Sequence, residues 1–383
     1  DEQARRRKKI AAFHKDHALF ACYAPARHPE IVVSVVAEHA GGGGAVAIDY
    51  GTATGTALAR ANAAGGGGRS TAENGGAGTV VLKGAGQEHG TLRIDNLGTV
   101  GQATALPSLG AGTAQAGTGG ATLVTGRAEA IPAYFAGHWV EVTRGGGLLG
   151  TWRIGTISDR TVTLEANGAD APALQAGDLW QGVYRFDALE LGGEAIVRSD
   201  DPVRGGATVV TGNVTLDSVT ASALTVKSGA QLTHPASTAT EVRSLEVKVG
   251  GVLMIEAGGR IDVTGRGYPA GTTYPEAGVS TGASGSHLGT GGVEGSAAKA
   301  GTYGSVARPR EAGSGSWGSN TAAGGGVVRI EAGSVVFGGA TAKIVANGKG
   351  GGWSSGAGGS IWMTTGTLTG DGLIEAAGGE SYR

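Results

Sequence analysis

The stretch LTVKSGAQLT at 224–233 is met again 21 positions later as LEVKVGGVLM at 245–254. Leu224 aligns with Leu245, Val226 with Val247, Lys227 with Lys248, Gly229 with Gly250 and Leu232 with Leu253. In both copies apolar and polar residues alternate before a glycine, and a period of two puts every second side chain on one face of a strand. Units of roughly twenty residues with two or three short strands suit coils of backbone that stack about 4.8 Å apart. Like side chains then form ladders in a narrow interior. The expected register sets Leu224 over Leu245 and Val226 over Val247.

A longer unit runs outward from this stretch. It opens on two glycines, continues as a short alternating strand, a turn and a second strand, and closes on Ala, Asn and more glycine. It reads GGAVAIDYGTATGTALARANAAGGGG from Gly43, GGVVRIEAGSVVFGGATAKIVANGKGGG from Gly325 and GGSIWMTTGTLTGDGLIEAAGGE from Gly358. A shorter form, GGVLMIEAGGRIDVTGRG, starts at Gly250. Val46 with Ile48, Val328 with Ile330, and Ile361 with Met363 share the inward phase, and the second strands supply Leu58, Ile344 and Leu373. Corner glycines provide positive φ and let coils approach closely.

Glycine fills 76 of the 383 positions, about three times the usual share. There is no G-x-y period with proline, so collagen is excluded. The β-branched runs and a 40% hydrophobic fraction argue against simple disorder. The fold class that follows is all-β: a right-handed parallel β-helix or β-solenoid over 45–120 and 191–383. Two segments interrupt it. Residues 121–190 hold Trp139, Trp152 and Trp180 in HWVEVTR, TWRIGTI, RTVTLEA and DLWQGVYRF, which predict a small antiparallel β-barrel or sandwich. Residues 265–324 are rich in Gly, Ser, Ala and Thr, with Tyr268, Tyr274, Tyr303 and Trp317 among them, and read as a projecting or disordered loop.

Formal net charge is −2 and the pI about 6.5, so no general attraction to nucleic acid follows. The basic run Arg5, Arg6, Arg7, Lys8, Lys9 reads as a solvated element end. Cys22 is the sole cysteine, which excludes an internal disulfide and a cysteine-built metal site. No apolar run approaches the ~18 residues of a membrane span. The chain begins at Asp1 without methionine or signal sequence, so an initiating end is expected upstream.

Composition changes abruptly at the four glycines 41–44. Beyond them, GGAGTVVLKG at 75–84, GTLRIDNLG at 90–98 and GGSIWMTTGTLTGDGLIEAAGG at 358–379 resemble the large glycine-rich surface proteins of myxobacteria and related Gram-negative bacteria. The resemblance implies an exported, adhesin-like or matrix component at the outer cell surface, with surface glycans or extracellular matrix as partners. Before the glycines, KDHALFACYAPARHPEIVVSVVAEHAGGGG at 15–44 is similar to the end of the transpeptidase domain of class B penicillin-binding proteins. Ala24, Pro25, Pro29 and Glu30 match that family's turn, and Lys15, Asp16, His17 and Ala18 its strand entry. The resemblance implies two antiparallel strands after a helix end. It implies no activity, because S-x-x-K, S-x-N and K-T-G lie upstream of this segment in the family. Ser296-Ala-Ala-Lys299 and Lys227-Ser-Gly229 imitate two of them in the wrong order. A chimera joined at 41–44 is one expectation; a hairpin cap over the first coil is the other.

The histidines are His14, His17, His28, His39, His89, His138, His234 and His287. His14 and His17 lack a third ligand. Asp200 with Asp201, and Asp95 with Asn96, offer oxygens for Ca²⁺, but the GGxGxD repeat is absent. Glycoside cleavage needs paired carboxylates, for which Asp200, Asp201, Asp217, Glu256, Asp262 and Glu331 are available; alternation turns most to solvent. Trp353 and Trp362 could stack on sugars. Neither phosphate-loop pattern is present. The expectation is a non-catalytic structural or adhesive surface protein with no catalytic, cofactor or metal residues. A polysaccharide-binding or polysaccharide-cleaving β-helix, and an inactive transpeptidase remnant, are the alternatives.

Overall fold

The computed structural model describes residues 18–24, 31–37, 41–68, 71–278, 281–317 and 322–381. The chain is all-β, and its helical content among these residues is the four-residue turn Ala57–Arg60 and a 3₁₀ turn at Ala133–Phe135. Two compact units are present. One holds Asp1–Thr104, Asp187–Val197 and Gly205–Arg383; the other holds Ala105–Phe186 and Arg198–Arg204.

Over 213–375 in the first unit, long and short strands alternate along the chain, and each kind pairs in parallel with its own kind. Ser218–Val226, Ser244–Ile255, Val327–Phe337 and Ser360–Thr369 form the long ladder. Ala195–Ser199, Asn213–Thr215, Gln231–Thr233, Arg260–Asp262, Lys343–Val345 and Leu373–Glu375 form the short one. Positive φ at Gly229 and Gly258 (77° and 82°) closes two of the turns from long to short strand, a backbone region costly for other residues. The pairing rows are apolar: Val219, Val247, Ile330 and Met363 lie in one, and Val214, Leu232, Ile261, Ile344 and Ile374 in another. Val247, Ile330, Leu232, Ile261 and Ile344 are fully buried, each contributing about 1.5–3 kcal/mol.

The register differs from the 21-residue expectation. Leu224 faces Leu253 and Val226 faces Ile255, while Leu245 pairs onward with Val328. Leu232 faces Ile261, not Leu253. The step between paired residues of successive long strands is thus 28 to 29 residues at this point, changing where Ala221 and Leu224 flank an irregularity opposite Gly250 and Gly251. Each long strand has two apolar-x-apolar halves joined at this corner. The sequence likeness matched the second half of one strand to the first half of the next. The 33-residue spacing of the two C-terminal units does hold: Val328 faces Ile361 and Ile330 faces Met363.

Among the described residues of 265–324 the backbone packs against neighbouring segments, in place of the expected projecting loop. These residues pack with 346–350, 355–359 and 376–380 into a lattice of segments that are neither strand nor helix. Gly267 N donates to Gly324 O, Gly313 N to Gly325 O, Gly325 N to Ala357 O, Gly356 N to Lys349 O and Gly379 N to Gly356 O, all at 2.7–3.0 Å. Such close approach requires the missing Cβ: one added at Gly359 would fall 2.0 Å from Gly326 O, and one at Gly325 2.1 Å from Ala346 O. Glycine here packs backbone against backbone, where the composition had been read as flexibility. Tyr268 is buried against Ala312 and Val327.

At the start of the described chain, Ala18–Ala24 and Ile31–Ala37 pair antiparallel, and Ile31–Ala37 pairs antiparallel with Ala45–Tyr50. Ala45–Tyr50 in turn runs parallel to Thr79–Gly84.

The second unit is antiparallel. Trp139–Arg144 lies between Gly147–Ser158 and the first residues of Leu179–Gly192, and Thr161–Glu165 joins Gly147–Ser158 to Thr122–Val124. Ala111–Thr113 adds to the other edge. A closed barrel is not found among the described residues. The core holds Leu123, Val140, Val142, Trp152, Ile154 and Trp180. Trp152 Nε1 donates to Asp170 O and Trp180 Nε1 to Thr125 O, both at 3.1 Å, so neither buried indole leaves its donor unmet.

Candidate functional site

The glycine lattice leaves a cleft of about 770 Å³ in the first unit, lined from residues 284–292, 355–361 and 374–381. Glycine backbone and serine hydroxyls make most of its wall, with Leu288 and Ile374 half exposed at its margin. Glu375, the acidic residue of the wall, accepts a hydrogen bond from Asn347.

His287 is set into this wall, only 6% exposed. Its Nδ1 lies 3.0 Å from Gly358 O; a carbonyl only accepts, so Nδ1 carries the proton. Nε2 is then a lone-pair nitrogen, buried with no hydrogen-bond partner. Burial lowers the His287 pKa, against the opposing influence of the Gly358 bond and Glu311, so the ring is neutral at pH 7. Tyr303 packs on it at 5.1 Å between centroids and donates its hydroxyl to Ala312 O at 2.7 Å. Burial pushes the Tyr303 phenol well above its usual range. A Cβ added at Gly304 would fall 2.7 Å from Nε2. The imidazole is a pinned, enclosed post, not a base open to a reactant.

A second cluster lies in the other unit. Asp201, whose side chain is fully buried, accepts hydrogen bonds from Ser108 Oγ (2.7 Å), Leu109 N (2.7 Å) and Gly110 N (2.9 Å). His138 Nε2 lies 3.3 Å from Asp201 Oδ2, the oxygen that also accepts from Leu109 N. Burial draws its pKa up, but the bonds from His138, Ser108, Leu109 and Gly110 outweigh it and hold the carboxyl below its ordinary value. Serine, histidine and aspartate meet here in the wrong order for acyl transfer. The hydroxyl donates to the carboxylate, whereas activation needs it to donate to the imidazole. Asp201 is a bracket for the 108–110 loop. Asp201→Ala is expected to lower unfolding free energy by about 3 kcal/mol, since buried donors lose their acceptor. Denaturation followed by tryptophan fluorescence checks this.

The other candidates are dispersed. Asp217 pairs with Arg243 (3.2 Å), Glu256 with Lys227 (2.7 Å) and Glu331 with Arg329 (2.6 Å). Asp262 accepts from Thr264 N, and Asp200 is exposed. The carboxylates weighed for sugar cleavage thus sit with separate partners. Asp95 caps Leu97 N, while Asn96, buried, bonds Gly65, Gly75 and Thr99. Trp362 is engaged by the guanidinium groups of Arg329 and Arg310, 4.6 and 4.9 Å from its ring; Trp353 is 71% exposed. His14, His17, His28 and His39 lie outside the described residues. No group of three or more His, Cys, Asp or Glu able to hold a metal occurs among the described residues, and no helix is long and apolar enough to cross a membrane.

The cleft was not legible in advance, since it is assembled from segments about 70 residues apart and walled by glycine. No family model, no curated protein and no solved structure matches this chain.

Proposed function

We propose that the first unit is a parallel β-solenoid of the β-helix kind, and that the chain is a structural or adhesive component of a bacterial outer surface. The observation that carries the reading is the repeated return of long and short strands to the same two ladders. A coil that repeats in this way gains length and lateral surface with every turn, which suits reach and multivalent contact. Its outward row places Glu246 beside Arg329 and Lys248 beside Glu331, a charged wall over an apolar interior. The resemblance to glycine-rich surface proteins supports an outer-surface location, with surface glycans or matrix as the partners proposed. The pairing of Ile31–Ala37 with Ala45–Tyr50 favours the hairpin as a cap on the first coil over an accidental fusion; a continuous genomic read across the codons for 41–44 tests that point.

The function is tested by exposing immobilised full chain to insoluble bacterial and plant polysaccharides and to matrix protein. The expected result is retention of at least one of them without release of reducing ends, and no covalent labelling by a fluorescent β-lactam. Release of reducing ends would establish the polysaccharide-cleaving alternative, and β-lactam labelling the transpeptidase one. Failure to retain any surface would overturn the adhesive reading.

A further inference from the structure

We infer that the cleft is the open sixth position around the central segment of the glycine lattice, and that it takes an extended glycine-rich peptide from another molecule. The inference rests on the lattice alone and stands apart from the surface role proposed above. Segment 355–359 is hydrogen-bonded on five sides. Gly285 N donates to Ser355 O, Ala357 N to Ser314 O, Gly325 N to Ala357 O, Gly356 N to Lys349 O and Gly379 N to Gly356 O. A strand in a sheet has two such neighbours; this segment has five.

The five neighbours also bond to one another in sequence around it. Trp317 N donates to Ala283 O, Gly313 N to Gly325 O, Lys349 N to Ala323 O and Gly348 N to Ala377 O, at 2.8–3.1 Å. The ring therefore runs from 283–286 through 313–317, 323–325 and 346–349 to 376–379. Between its two ends, among the described residues, no such backbone bond is found, and that is where the cleft lies, walled by 284–292, 355–361 and 374–381. Ser355 stands on the central segment within this wall, 4% exposed, its Oγ buried with no hydrogen-bond partner.

The lattice dictates what fits. The filled positions are taken by segments made mostly of Gly, Ala and Ser, and on the sides they occupy the central segment is so slim that a Cβ on Gly356, Gly358 or Gly359 would fall 2.0–2.3 Å from a neighbouring backbone oxygen. The sixth position is walled mainly by glycine and serine, with His287 and Glu375 already engaged by Gly358 O and Asn347, so its occupant is matched by main-chain hydrogen bonding with few or small side chains. Main-chain bonding supplies affinity in strand addition by the same chemistry.

The test uses the full chain and fluorescein-labelled hexaglycine, with hexaalanine and a neutral hexasaccharide as competitors. The variant is Gly378→Val. Gly378 lines the cleft, has no left-handed φ, and an added Cβ meets nothing nearer than Gly356 O at 4.0 Å; the variant's melting temperature, measured beside wild type, separates a blocked cleft from a disturbed fold. Expected is saturable binding of hexaglycine, with hexaalanine and Gly378→Val each weaker by about tenfold or more. The inference fails if hexaglycine does not bind, if hexaalanine binds equally, if Gly378→Val binds undiminished, or if the hexasaccharide displaces the peptide at equal concentration.

Discussion

Replacing Gly359 by alanine is expected to lower the unfolding free energy by about 3 kcal/mol or more. The new methyl carbon would lie 2.0 Å from Gly326 O and 2.5 Å from both Gly325 C and Gly325 O, and all three are backbone atoms. A flexible side chain would swing aside, but a hydrogen-bonded main chain has to move as a unit. Gly359 N donates to Ala346 O at 2.7 Å, and Ser360 N to Gly326 O at 3.0 Å, so displacing either segment breaks bonds that tie the lattice to the adjoining ladder strand. Gly292→Ala is the control, because its added Cβ has nothing within 4 Å; its effect is expected within about 0.5 kcal/mol. Chemical denaturation of the two variants beside wild type checks the contrast. Equal stability of the two variants would mean that the glycines are spacers and not a close-packed lattice.

The second large effect is on pH dependence. His234 is fully buried; its Nδ1 meets Pro235 O at 2.6 Å and its Nε2 accepts from Val327 N at 3.2 Å. Accepting that bond requires Nε2 to be unprotonated. Burial, aided by the nearby charges of Arg266 and Arg243 and opposed by the Pro235 bond, lowers its pKa to about 4. In the unfolded chain it titrates near 6.5, so the unfolded state binds the proton first as pH falls. Stability from this group is complete above pH ~6.5, declines as pH drops toward the folded value, and levels off below it. The shift corresponds to about 3 kcal/mol over that window, and His287, also lowered by burial, adds loss in the same direction. Urea melts from pH 7.5 to 4 are expected to show the decline. His234→Gln, less stable at neutral pH, is expected to show a shallower slope. An unchanged slope in the variant would remove His234 as its source.

Much of the fold was open to sequence reasoning because alternation is a local property. Leu245, Val247 and Val249 are buried while Glu246 is half buried and Lys248 exposed, as a period of two requires. Register was harder, since both halves of a long strand carry the same apolar-x-apolar pattern and small corner residues. Nothing local marks Leu224 as belonging after the corner and Leu245 before it. The lattice was the least legible part. Glycine carries no side chain whose period could be read, and a glycine used for slimness looks the same in sequence as one used for flexibility. Nothing local set His287 apart from the other histidines or Ser355 from the other serines, because Ser355 O is bonded by Gly285 N and His287 Nδ1 meets Gly358 O, each about 70 positions away in the chain. Asp201 and His138 are 63 positions apart, and only the folded second unit joins them.

The central claim, parallel strands in the register described, is tested most directly by disulfide trapping in a Cys22→Ser background. Lys248 and Glu331 are Cα partners on adjacent strands, at an inter-strand spacing near 4.8 Å that lies within disulfide reach. Lys248→Cys with Glu331→Cys is expected to form an intramolecular disulfide on mild oxidation. Lys227→Cys with Lys248→Cys, neighbours only if coils repeat every 21 residues, is expected to remain reduced. Cross-linking of the second pair and not the first would contradict the account.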